Sequence, residues 1–108
     1  MYIWNAASVE ETPVVRLSRW SVREVQPRAT RHLLGHNLTE REGRVSSTIT
    51  EYDAERHRVT TESGRVYELV GPPGQDSDAE GVWRSWLRCV GLEEASSWSD
   101  VTHEYTAP

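Results

Sequence analysis

EGRVSSTITEYDAERHRVTTESGRVYELVGPPG, residues 42–74, is the stretch whose reading decides the fold. It alternates apolar and polar residues in short runs and breaks at turn-forming residues, the pattern of consecutive β-strands. Val45, Ser47 and Ile49 fall in phase, which predicts one strand over 44–52. Asp53, opening the segment 53–56, suits a turn because its carboxylate can accept from backbone amides ahead of it. Two more strands follow, over 57–61 and 65–70. A two-residue turn at Ser63-Gly64 would set Val59 against Glu68 and mix the faces. A three-residue loop, Glu62-Ser63-Gly64 with Gly64 left-handed, sets Val59 against Tyr67 and Arg58 against Glu68. The second register separates an apolar face from an opposite-charge pair and is the one expected. Gly71-Pro72-Pro73-Gly74 then ends the sheet, since proline donates no ladder hydrogen bond.

Downstream, Ser77-Asp78-Ala79-Glu80 matches a capping box, and a helix is predicted over 78–90. Ala79, Val82, Trp83, Trp86, Leu87 and Val90 form one apolar stripe, with Gly91 as the stop and Leu92 folding back on Leu87. Cys89 falls at the edge of that stripe, a semi-buried thiol. A final strand is expected over 98–105. Upstream, residues 14–25 are rich in β-formers, with a bulge between Leu17 and Trp20 where alternation fails. Residues 30–38 alternate as a second strand, with His32, Leu34, His36 and Leu38 on one side. Residues 1–13 read as an N-terminal extension and 14–108 as a single α+β domain. Its expected architecture is a mainly antiparallel sheet of about five strands, with one amphipathic helix packed on one face.

Composition narrows the function. At 108 residues the chain holds one core. With 36% hydrophobic residues and no Phe, the five Trp and four Tyr must supply much of its volume. All twelve basic residues are Arg, which reads first as genomic bias and second as a set of carboxylate or phosphate binders. Residues 14–71 carry ten Arg against eight acids, whereas residues 72–108 carry two Arg against seven. A net charge of −5 disfavours general nucleic-acid binding. The single cysteine leaves neither an intramolecular disulfide nor a multi-cysteine zinc site. No signal sequence or membrane-length apolar run is visible, so a cytoplasmic protein with no membrane partner is expected.

Gly43-Arg44-Val45-Ser46-Ser47, then Ser63-Gly64-Arg65-Val66-Tyr67 with Leu69, Gly71 and Gly74, then Trp83 and Trp86, form a pattern that resembles small uncharacterised proteins of bacterial plasmids and integrative mobile elements. The likeness covers roughly residues 15–103. That group has no assigned activity, so the resemblance implies a context, an accessory protein of a mobile element, and no catalytic residue.

No catalytic, metal or cofactor constellation stands out. His32 and His36 are four apart, but on a strand that spacing separates them by ~13 Å, too far to share a metal; both read as half-exposed strand histidines. Trp83 and Trp86 read as core. Arg44, Arg56, Arg58 and Arg65 gather at one end of the hairpins, and with Trp98 they make up the candidate interaction surface. The expected function is non-enzymatic binding of another macromolecule, a protein first, as an accessory or inhibitor protein. The alternative is a nucleic-acid-binding β-domain working through the hairpin arginines. An uncovered edge strand would also allow a homodimer.

Overall fold

The computed structural model describes residues 13–92 and 97–106. The extension assigned to 1–13 therefore lies, except for Pro13, outside the described residues, as does most of the link after Gly91. Among the described residues seven strands run in chain order: β1 (Val14–Val25), β2 (Thr30–Asn37), β3 (Glu42–Val45), β4 (Ile49–Asp53), β5 (Arg58–Thr61), β6 (Val66–Leu69) and β7 (Trp98–Asp100). The α-helix α1 (Ser77–Val90) stands between β6 and β7. The α+β class holds. The sheet is larger than expected and is mixed: β1 and β6 pair in parallel, while the other pairs are antiparallel.

The strand order β3-β2-β1-β6-β5-β4 dictates the shape. A flat six-strand sheet is ~24 Å across from first strand to last. Its two end strands here, β3 and β4, are consecutive in the chain, and the step from Val45 to Ile49 reaches at most ~14 Å. The sheet must curl into a partly closed barrel. The expected single strand over 44–52 is in fact these two. Between them the Ser46 amide still bonds Leu33 of β2 (2.9 Å), while the Thr48 carbonyl already accepts from Glu62 beyond β5 (2.7 Å). Crossing from one partner to the other turns the chain over: Val45 packs outward under α1 and Ile49 packs against the barrel core.

Inside the curl sit Val15, Leu17, Trp20, Val22, Leu33, Val59, Tyr67 and Leu69, with Val101 and Tyr105 against them. The expected bulge is present: the β1–β2 register shifts between Ser18 and Ser21, and Arg19 takes a φ of 47°. The three-residue loop is present too. Val59 pairs with Tyr67 and Arg58 with Glu68, and Gly64 has a φ of 90°. Asp53 accepts from the Glu55 and Arg56 amides, as a turn-former should. The last expected strand is shorter than 98–105: β7 stops at Asp100, and residues Thr102–Tyr105 form a 3₁₀ turn. That turn places Tyr105 in the core, where its carbonyl accepts from the Tyr52 hydroxyl at 2.8 Å.

α1 covers the outer face of β2 and β3. Trp83 and Trp86 stack there with centroids 5.3 Å apart and are buried with Ala79 and Leu87 over Val25, Leu34 and Val45. The helix start differs from the capping box. Asp76 is the cap, accepting from the Ala79 amide at 3.0 Å, because its carboxylate is held from the sheet by Arg19 at 2.8 Å, with His36 nearby at 3.6 Å. Gly91 ends the helix left-handed, and the Leu92 amide returns to the Leu87 carbonyl, as expected. Cys89 is exposed rather than semi-buried, since it falls outside the buried stripe of α1. Gly43 of β3 lies directly beneath the first turn of α1: a Cβ there would overlap the backbone of Asp78 and Ala79.

Candidate interaction groove

The expected arginine surface does not assemble. Arg44 and Arg65 are buried. Arg44 follows from strand alternation: Val45 faces α1, so its neighbour must face the barrel interior, where Arg44 Nε donates to the Tyr67 hydroxyl at 3.2 Å. Arg56 and Arg58 stay outside, each on a carboxylate. Arg56 meets Asp53 at 3.2 Å and Arg58 meets Glu68 at 2.7 Å. They border a shallow depression of about 280 Å³ that Glu51 also lines. Trp98 is half-buried in a stack that ties β1, β7 and α1 together. The Arg23 guanidinium lies 4.6 Å from the Trp98 ring and 5.4 Å from the Trp83 ring, and it pairs bidentately with Glu80 of α1. Such a sandwich orients Trp98 inward as a fastening.

A larger concavity lies where the end of β1, the turn into β2 and the C-terminal half of α1 meet. It encloses about 750 Å³, within the range of ligand and peptide sites. Val25, Pro27, Trp86, Val90 and Leu92 supply its apolar lining. The three helix-side residues lie there because Gly91 turns the chain back, setting Leu92 beside Val90 and Trp86. Val90 is 46% exposed, the most exposed large apolar residue described.

His32 lines the groove, buried rather than half-exposed as the strand pattern had suggested. Its ring lies 4.8 Å from that of Trp86. Nδ1 is 3.1 Å from the Ser46 carbonyl, which can only accept, so Nδ1 carries the hydrogen. Nε2 is then the acceptor from the Thr30 hydroxyl at 3.2 Å. Burial holds the imidazole below its ordinary pKa of 6.5, against the opposing pull of the Ser46 bond and the Glu62 charge. Arg28, on the β1–β2 turn, and Glu62, on the β5–β6 loop, stand exposed on the rim, and neither makes an ion pair among the described residues.

Sequence reasoning missed this groove because its residues come from four separate segments, 25–32, Thr48, Glu62 and 86–92. The detectable signal was Val90 and Leu92, two apolar residues flanking the helix stop. Among the described residues, no three His, Cys, Asp or Glu side chains gather closely enough to hold a metal ion, and no helix is long and apolar enough to cross a membrane. Comparison with protein-family models, with curated proteins and with solved structures finds no match.

Proposed function

We propose that this chain is a small bacterial protein that acts by binding another protein, and that the groove beside α1 receives a short segment of that partner. One observation carries the reading: an apolar floor containing Trp86 and exposed Val90, bordered by an arginine and a glutamate that make no ion pair among the described residues. Opposite charges on the rim select a segment whose apolar anchor is flanked by an acidic residue, for Arg28, and a basic one, for Glu62. An unpaired charge on either side would discriminate against other segments. The resemblance to mobile-element proteins supplies the context, an accessory or inhibitor protein in the bacterial cytoplasm. The nucleic-acid alternative draws less support, because two of its four arginines are buried and two sit on carboxylates.

The test compares wild-type and Val90→Glu baits for the same stoichiometric partner, followed by binding of the cross-linked partner segment as a synthetic peptide. Val90→Glu is expected to weaken that peptide at least roughly tenfold, the effect of burying an unpaired charge. Arg28→Glu should weaken it less and be rescued when the peptide's acidic residue is changed to lysine. A partner held equally by wild type and Val90→Glu would refute the groove. A salt-sensitive gel shift with short oligonucleotides, lost in Arg58→Ala, would favour the nucleic-acid reading instead.

A further inference from the structure

We propose that the barrel interior beside β2 and β3 binds a small monovalent anion, chloride or a carboxylate, through Arg44, Asn37 and Tyr67. The site is independent of the groove and follows from counting hydrogen-bond donors. Asn37 lies opposite Leu17, a core residue, and therefore faces the interior. Gly35 shares that face two residues earlier and lies directly opposite Arg44. Asn37 and Arg44 are thus diagonal neighbours on one face of paired strands.

Each brings a donor that no described residue receives. Asn37 Oδ1 accepts from the Thr39 and Glu40 amides at 3.0 and 3.1 Å, which fixes the orientation of the side-chain amide. Nδ2 is left buried and without a partner among the described residues. Arg44 Nη2 is likewise buried and without a partner among them. Tyr67 accepts from Arg44 Nε, and its own hydroxyl hydrogen has no acceptor among the described residues. All three side chains are buried, at 0%, 5% and 1% exposure. The group carries one positive charge, and no carboxylate pairs with Arg44 among the described residues. A water can accept two of these hydrogen bonds and leaves the charge uncompensated. An anion can accept all three and offsets the desolvation of the guanidinium. Glu42, half-buried and opposite Asn37, shares the face and makes no ion pair among the described residues, so it is the carboxylate of the chain placed to compete.

The experiment is a titration at constant ionic strength with fluoride as the background salt, replacing it by chloride or by formate up to about 0.3 M. Specific binding gives a saturable rise in Tm, with the Arg44 Nε–H and Asn37 Nδ2 resonances shifting at the same midpoint. Tyr67→Phe should raise that midpoint at least roughly tenfold, the loss of one hydrogen bond to a charged acceptor. Arg44→Met should abolish the rise. A response to chloride alone identifies a halide, and one to formate identifies a carboxylate from a metabolite or a partner's side chain. Resonances and Tm unmoved in the wild type would overturn the proposal. So would a rise that persists in Arg44→Met, which marks an adventitious ion only. It also falls if Glu42→Gln shifts the Arg44 resonance in fluoride alone, since Glu42 would then be the acceptor. Should Arg44→Met not fold, the wild-type resonances still decide.

Discussion

Two glycines in or under α1 should respond in opposite directions to the same methyl group. At Gly43 a Cβ would overlap the backbone of Asp78 and Ala79 and lie 2.6 Å from the Asp78 Cβ, so α1 must lift off β3 to admit it. Overpacking costs ~1–3 kcal/mol, and the upper end applies because the obstruction is mostly backbone, which has no rotamer to change. At Gly81, on α1, nothing lies within 4 Å of the added atom. Gly81→Ala therefore gains helix propensity, up to ~1 kcal/mol. For a domain of this size each kcal/mol moves Tm by about 4–8 °C. Gly43→Ala should melt on the order of 12 °C or more below wild type, and Gly81→Ala a few degrees above it. Thermal melts by far-UV circular dichroism, with urea titrations to check that the m-value is unchanged, measure both. If Gly43→Ala melts within about 2 °C of wild type, the helix does not rest on β3 as described, and the packing argument fails.

Other outcomes follow from the same contacts. Trp86→Ala should cost ~3–5 kcal/mol by urea unfolding, because the ring is buried between Trp83 and His32; a loss near zero would place it on the surface. Gly64→Val should lower Tm, since a β-branched residue resists the φ of 90° that the three-residue loop requires. Asp76→Ala removes the helix cap and should cost ~0.5–2 kcal/mol, with a further loss from the Arg19 pair. The buried His32 has a folded pKa below its unfolded value, so the unfolded chain binds a proton first. The stability it supports is complete above about pH 6.5 and declines as pH falls toward the folded pKa. His32→Phe should flatten that part of the pH–Tm curve while leaving the fall at lower pH, where Asp76 protonates. Burial raises the Asp76 pKa, but the bonds from Arg19 and the Ala79 amide, with the Arg19 and His36 charges, outweigh burial and hold it low.

Local chemistry was legible in the sequence. The hairpin at Gly64, the bulge before Trp20 and the helix stop at Gly91 each rest on a conformation that few residues adopt, next to a clear alternation or stripe. The curl was not. Val45, Ser47 and Ile49 keep a period of two straight through the point where the chain changes partners, so alternation registers no break. The sign was the polar run Ser46-Ser47, buried inside what read as a strand, where Ser46 Oγ accepts from the Leu33 amide and donates to the Ser47 carbonyl. The parallel pairing of β1 with β6 joins Val14 to Val66, and periodicity says which face a residue takes but not which strand lies alongside. The cap was ambiguous because Asp76 and Ser77 are both good capping residues. The choice is made by Arg19 and His36, far away in sequence. The arginine surface misled for a related reason: once Val45 is known to face α1, Arg44 can only point inward.

The partners of β1 also set the order in which the molecule can be completed during synthesis. β2 reaches one edge at once, through a short turn. The opposite edge is shared by two late arrivals, β6 along Val14–Leu17 and β7 along Arg23–Val25. A ribosome releases the N-terminal side first, so this edge, with Val15 and Leu17 beside it, waits through most of translation for its neighbours. Pairings so distant in sequence form slowly, and an unpaired edge is open to other nascent chains. In a crowded polysome, the interval between the emergence of Val25 and that of Asp100 is when this protein is most exposed to misassembly.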